Sequence, residues 1–289
     1  MPDNETTSPD EYGEVLDVRQ VFFQAVRKKI KKVAFWTLLL SVWTLICVVF
    51  ILPMMASSDF GFYLIIFPWI LFGVWFAIIY SKVREAFWKE VAKKYGWEYA
   101  YGKDISDEKA LLCEMGDSRE AGNGIIGSYD NQPFHIFEYE YTVGSGKHKT
   151  TYSFTVFEVK FTGTFPHLYL NYKSDWYSNT PSIFSSLAKI SLTSEFEDKF
   201  KLYSPKEYEI ETLEIFTPEI LALLLDSGWN HDMEFVDGEL IIYQRAKFNS
   251  FTELDMELNK IKKLVDILSP LLNRLKLAKV GNISPELEN

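Results

Sequence analysis

The residues of this 289-residue chain that could do chemistry are few. Its four histidines are His135, His148, His167 and His231. A metal site wants three or four His, Cys, Asp or Glu ligands converging on one point. His135 and His148 fall on different arms of a hairpin, near opposite ends, and His167 and His231 lie on other segments. Each reads as a surface or satisfied core histidine. Gly144-Ser145-Gly146-Lys147 has the outline of a phosphate loop. That loop needs a preceding strand, a following helix and a Ser or Thr after the lysine. Here His148 follows and a strand continues, so the segment reads as a hairpin turn. Gly122-Asn123-Gly124 lacks the helix that a dinucleotide fingerprint requires. Gly-x-Ser-x-Gly does not occur, so a nucleophile elbow has no support. Cys113 has no neighbouring base to activate its thiol. Glu138 and Glu140 share the polar face of a strand and read as solvated carboxylates rather than an acid/base pair. The sequence assigns no catalytic, cofactor-binding or metal residue and calls for no cofactor. Its balance leans away from an enzyme.

The elements that would position such groups are organised around residues 33–80. Val33 to Met55 and Phe60 to Tyr80 carry no charged residue. About 20 apolar residues in a helix cross a bilayer core of roughly 30 Å. The segments 33–55 and 60–80 therefore predict a transmembrane helical hairpin closed by Ala56-Ser57-Ser58-Asp59. Pro53 would help stop the first span and Pro68 would kink the second. Thr37, Ser41 and Thr44 can bond back to helix carbonyls or across to the partner helix. Neither span holds Asp, Glu, Lys, Arg or His, which argues against an ion pathway. Arg27, Lys28, Lys29, Lys31 and Lys32 precede the first span, and Lys82, Arg84, Lys89, Lys93 and Lys94 follow the second. Positive charge stays inside, so both termini are predicted to be cytoplasmic in a multi-pass protein of the inner (plasma) membrane.

Net charge is −10, unevenly placed. Residues 103–289 hold 19 Lys and Arg against 30 Asp and Glu. Nucleic-acid binding needs a basic face for phosphates, so the acidic distal region excludes it. Cys47 and Cys113 lie too far apart in the predicted topology to pair, as suits a reducing compartment.

Five regions follow: residues 1–32, a polar tail and an amphipathic juxtamembrane helix; 33–80, the hairpin; 81–95, a membrane-exit helix ended by Gly96; 96–280, a soluble α+β domain; and 281–289, a tail. Within the domain, strands are expected at Trp97–Tyr101, Gly124–Tyr129, Phe134–Val143, His148–Phe161, Leu168–Leu170 and Lys189–Leu192. A short helix is expected at Ser106–Glu114, and a polar, turn-rich stretch at Ser178–Ser186. A two-residue turn at Ser145-Gly146 sets Tyr139 opposite Tyr152 and Phe137 opposite Phe154. Beyond Val156 the apolar parity shifts, which predicts a bulge or a strand buried on both faces. Ser194-x-x-Glu197, Ser204-Pro205-x-Glu207 and Ser250-x-x-Glu253 read as capping boxes, and Thr217-Pro218 as a helix start. Asp130-Asn131 reads as the turn that leads from Gly124–Tyr129 to the next strand, and Asp237-Gly238 predicts a second hairpin turn. Leu254, Leu258, Ile261, Leu264, Val265 and Leu268 line one face of a long C-terminal helix interrupted at Pro270.

The segment Glu195-Phe196-Glu197-Asp198-Lys199-Phe200-Lys201-Leu202-Tyr203-Ser204, with Phe216-Thr217-Pro218 downstream, resembles a family of uncharacterised bacterial two-span membrane proteins carrying a domain of unknown function. The resemblance is close over residues 195–220 and loose over 14–275. Leu202 stands where the pattern has Val, and Phe216 where it has Leu. It implies a fold and a membrane location and no catalytic residue. Read by themselves, Phe196, Phe200 and Tyr203 are core anchors, and Ser204 and Thr217 are helix caps.

The fold class expected is thus α+β, a two-helix transmembrane hairpin followed by a cytoplasmic antiparallel-sheet domain with packed helices. The function expected is that of an integral membrane protein presenting a cytoplasmic interaction or sensing domain at the membrane surface. Its partners would be the lipid bilayer and a protein on the cytoplasmic side, with oligomerisation through the hairpin or the 251–277 helix. The alternative is a membrane-linked hydrolase or a small-ligand or lipid-binding domain, with a cleft lined by Glu138, Glu140, His135 or His167.

Overall fold

The computed structural model describes residues 17, 18, 20, 23, 27, 30–51, 60–105, 110–163, 165–173, 187–245 and 247–281. The expected loop at 56–59, the polar stretch 178–186, the C-terminal tail and most of the amphipathic N-terminal helix lie outside them. Of that helix, Val18, Gln20, Phe23 and Arg27 are helical. The chain divides into two compact units, Met1–Glu90 with Asn249–Phe251 and Val91–Phe248 with Thr252–Asn289.

The first unit holds two apolar helices. Helix α1 spans Ile30–Ile46 and continues as a π-turn over Cys47–Ile51. Helix α2 runs unbroken over Phe60–Tyr95, through Pro68. As expected, the hydroxyls of α1 turn back on its own carbonyls: Thr37 to Ala34, Ser41 to Thr37 and Thr44 to Leu40, at 3.0, 2.8 and 2.7 Å. Thr44 Oγ1 also accepts a 3.0 Å bond from Trp69 Nε1 of α2, which ties the two helices together. The stretch Ile66–Tyr95 of α2 is long and apolar enough to cross a membrane, its most apolar 18-residue window having a mean hydropathy of 1.7. The apolar part of α1, Ala34–Val49, is shorter. At its far end α2 stops at Gly96, whose φ of +69° is open to glycine without strain. Trp97 N–H then donates to Ala92 O at 2.8 Å, closing the last turn.

The second unit is an antiparallel sheet with packed helices, the α+β class expected. Its strands are β1 Glu98–Tyr101, β2 Ser118–Tyr129, β3 Gln132–Val143, β4 Thr150–Lys160, β5 Leu168–Tyr172, β6 Ala188–Ile190, β7 Phe200–Ser204, β8 Asp232–Val236 and β9 Glu239–Gln244. They lie in the order β1-β2-β3-β4-β9-β8-β5-β7-β6. One-turn helix α3, Leu111–Glu114, precedes β2. Helices α4 Ser194–Lys199, α5 Glu209–Ile215 and α6 Pro218–Asp226 lie between β6 and β8, and α7 Phe251–Gly281 closes the chain.

Two hairpins turn where the sequence indicates. Asp130-Asn131 takes φ of 47° and 61°, and Asp237-Gly238 takes 50° and 85°, the left-handed values that match the twist of the strands they join. The β3–β4 register differs from expectation by two residues. Tyr139 faces Phe154, Phe137 faces Val156 and Tyr141 faces Tyr152. The connection is a longer loop with a 3-10 turn at Gly146–His148, entered through Gly144 at φ +85°. A slip of two keeps every side chain on its own face, so apolar alternation cannot detect it. His135 accordingly faces Glu158, and His148 sits in the loop. The parity change beyond Val156 is a strand buried on both faces, since Phe154 through Val159 are all buried between β3 and β9. The bulge falls instead in β2, between Ala121 and Gly124. A Cβ on Gly124 would stand 2.4 Å from Ile136 O, so Gly122-Asn123-Gly124 is a close strand crossing.

Two capping boxes are corrected. Thr193, not Ser194, holds the N-cap position of α4, and Glu197 reaches back to Leu192 N–H at 3.0 Å. Ser204 ends β7 fully buried, its hydroxyl 2.7 Å from that of Thr212, while Pro205 opens a 3-10 turn. Thr217 does cap α6, with Pro218 at its first position. Pro270 does not interrupt α7. Leu254, Leu258, Ile261, Leu264, Val265, Leu268 and Leu272 of α7 are buried, which leaves that face unavailable as a dimer seam. Each contributes about 1.5–3 kcal/mol by burial.

Candidate functional site

Strand alternation sends neighbouring residues of β3 to opposite faces of the sheet. Phe134, Ile136, Glu138 and Glu140 share one face; His135, Phe137, Tyr139 and Tyr141 share the other. The carboxylates Glu138 and Glu140 are therefore not brought together with His135 or His167 in one cleft.

On the first face, α7 and the sheet leave an apolar crevice of about 30 Å³ between Trp97, Phe134, Ile136, Leu258 and Val265. That is room for about one water molecule. Glu138 lies on this face and is buried, not solvated. Asn123 Nδ2 stands 3.4 Å from its carboxylate and Lys247 Nζ 3.9 Å. Lys247 also pairs with Glu140 at 2.9 Å, and Ser153 Oγ donates to Glu140 at 2.5 Å. Burial works to raise the Glu140 carboxyl, but the bonds from Ser153 and Lys247 outweigh it and hold its pKa down.

The second face carries the densest polar constellation. The register places His135, Glu158, Ile241, Glu234 and Tyr169 in one row across β3, β4, β9, β8 and β5. Glu158 and Glu234 stand two strands apart, about 10 Å at the usual strand spacing. Both are buried. Lys103 Nζ lies 2.5 Å from each oxygen of Glu158 and 5.2 Å from the centre of the Phe137 ring. His135 Nδ1 approaches Glu158 to 3.8 Å, beyond a hydrogen bond. Burial first, then the ammonium groups of Lys103 and Lys160, lowers the His135 pKa to about 4, so this imidazole is neutral.

Glu234 is held differently. It accepts from Leu111 N–H at 3.2 and 3.0 Å, from the Tyr243 hydroxyl, and meets His167 Nε2. Burial raises its carboxyl pKa, against the opposing bonds from His167 and Leu111. Next along β8, Asp232 accepts from Tyr169 OH at 2.8 Å and Tyr172 N–H at 2.7 Å. Ala110 to Cys113 cover this part of the face, buried among Phe137, Tyr139, Tyr141, Phe154 and Tyr243. Cys113 is a buried thiol there and Cys47 another in the first unit, neither of them in a disulfide.

Of the histidines, His135 and His167 each meet a buried glutamate, His231 bonds Glu257 of α7 at 2.8 Å, and His148 is exposed. Among the described residues no group of three or more His, Cys, Asp or Glu could hold a metal ion. Sequence reading missed Glu158, Glu234 and Lys103. The available signal was an acid flanked by large apolar residues in Phe157-Glu158-Val159 and Met233-Glu234-Phe235. What these groups do chemically is hold the sheet to its covering segment.

In the first unit, Trp36, Leu40, Pro68, Leu71, Phe72 and Trp75 line an apolar groove of about 410 Å³ between α1 and α2. Large side chains here are exposed: Leu38 is 64% exposed and Phe67 60%. No protein-family model matches the chain, and no curated protein matches it. Among solved structures, the crystal structure of the mycobacterial trehalose monomycolate transport factor A, TtfA, aligns at a TM-score of 0.46 and 14% identity, over 65% of this chain and 95% of that one. A likeness that slight carries neither function nor fold across to this chain.

Proposed function

We propose that the chain is an integral membrane protein whose α1 and α2 both cross the bilayer, and whose sheet unit is a cytoplasmic interaction or sensing module rather than a catalyst. The observation that carries the reading is the apolar exterior of residues 34–49 and 66–80. Phe35, Leu38, Val42, Trp43, Leu45, Val48, Val49, Phe67, Ile70, Leu71, Val74 and Ile78 are all exposed. A patch of that size facing water would be an aggregation liability, whereas facing acyl chains it costs nothing. The α1 hydroxyls, satisfied within the helix and by Trp69, fit the same solvent. Basic residues on both outer flanks favour cytoplasmic termini and an external 56–59 connection. The lipid bilayer is then the first partner, and a protein on the cytoplasmic side the second. The buried carboxylates of the sheet, each taken up by donors of the same chain, support a binding module over an acid/base catalyst.

The test is a labelling experiment in intact cells. In a Cys47→Ala, Cys113→Ala background, Ser57→Cys should react with a membrane-impermeant maleimide from outside, and a cysteine placed at Asn289 only after lysis. The reverse pattern, or labelling of both from one side, would remove the two-span topology.

A further inference from the structure

The one-turn helix α3 is held at its start by a side chain far away in sequence. Leu111 N–H donates to both oxygens of Glu234, 3.2 and 3.0 Å away. The same carboxylate takes the Tyr243 hydroxyl of β9 and His167 Nε2, from the segment just before β5. Glu234 is fully buried, while the His167 side chain is 32% exposed. Among the donors to Glu234, the His167 imidazole is thus the one that water reaches.

Apart from Arg119, the other ionisable groups around this carboxylate are neutral or of like charge. Tyr169 lies opposite on β5, and burial raises its hydroxyl pKa well above the usual value, so it stays neutral. Asp232 on β8 itself is engaged by Tyr169 OH and Tyr172 N–H. Glu114 of α3 adds like-charge repulsion to Glu234. Arg119 of β2 is turned to Cys113 O. Among the described hydrogen-bond partners of Glu234, His167 is therefore the one whose side chain can carry positive charge.

We propose that His167 and Glu234 form a proton-linked latch that seats α3 on the tyrosine-rich face of the sheet. While the pair holds a proton, the buried carboxylate is neutralised and its remaining oxygen capacity keeps Leu111 N–H in place. When the pair loses that proton, a bare buried carboxylate is left with neutral donors and Glu114 nearby. Lifting α3 lets water reach it. The direction follows from burial, which holds the Glu234 pKa above its unfolded value. A raised carboxyl favours the seated form below the ordinary carboxylate range, and that contribution is lost as pH rises through the raised value. The latch thus opens on the alkaline side. It stands independently of the membrane reading.

Amide hydrogen exchange on the full chain in nanodiscs tests it, from the ordinary carboxylate range at about pH 4.5 up to about pH 8.5, with rates corrected for intrinsic exchange. The amides of Leu111, Cys113 and Met115 should lose about tenfold in protection across that range, while those of Phe137 to Tyr139 in β3 hold theirs. Glu234→Gln, neutral throughout, should give a flat profile. His167→Lys, which keeps its cation to higher pH, should keep α3 protected to the alkaline end. A flat wild-type profile would overturn the latch, as would the wild-type fall persisting in His167→Lys.

Discussion

The two units place polarity on opposite sides. Along residues 34–49 and 66–80 most apolar side chains are exposed or half-buried, with Leu38 and Phe67 more than half exposed. In the sheet unit most large apolar side chains are buried, and Glu158 and Glu234 are buried with them, at 2% and 0% exposure. On the membrane reading proposed above, the same residue types answer to two solvents. In lipid, a helix can leave Phe and Leu outside because its backbone satisfies itself. In water, a sheet must bury them, and any acid between them needs a donor of its own. The difference teaches that these buried carboxylates are held by their partners, and that removing a partner is the way to break the sheet unit.

The largest expected effect is at Lys103. Its ammonium is the cation on Glu158, and an uncompensated buried charge costs about 3–5 kcal/mol. Lys103→Met should therefore lower the denaturation midpoint sharply, and adding Glu158→Gln should recover part of the loss. A Lys103→Met variant as stable as wild type would show that the carboxylate does not need its pair.

Next comes His135, which distinguishes a buried neutral imidazole from a paired one. Its pKa falls from 6.5 to about 4 in the fold, chiefly through burial and secondarily through Lys103 and Lys160. The unfolded chain therefore takes up a proton that the folded chain refuses. Stability is present above the unfolded value and is lost as pH falls from 6.5 toward 4, by about 3 kcal/mol. Denaturant titrations across that window should show the loss in wild type and a shallower slope in His135→Gln. Equal slopes would mean that the imidazole is already charged in the fold.

Legibility in the sequence follows the same division. Local rules held where one segment decides its own structure. Asp130-Asn131 and Asp237-Gly238 are turns, Thr217-Pro218 starts a helix, and Leu254 to Leu268 form the buried face of α7. They did not hold where a distant segment decides. The β3–β4 register slipped by two because both registers satisfy alternation equally. Ser204 gave up its expected cap because Thr212 returns to meet its hydroxyl inside the core. Glu138 looked solvated because nothing local shows that Asn123 and Lys247 come to it. Glu158 and Glu234 went unmarked because their burial depends on β9 lying between β4 and β8, a neighbourhood set by chain folding over about 80 residues.

The central claim, that the apolar unit lives in lipid, has a direct measurement: alkaline carbonate extraction of membranes from cells expressing the full chain. The account predicts that the protein stays with the membrane pellet and leaves it only with detergent. Release into the carbonate supernatant, with the chain folded and monomeric, would contradict it.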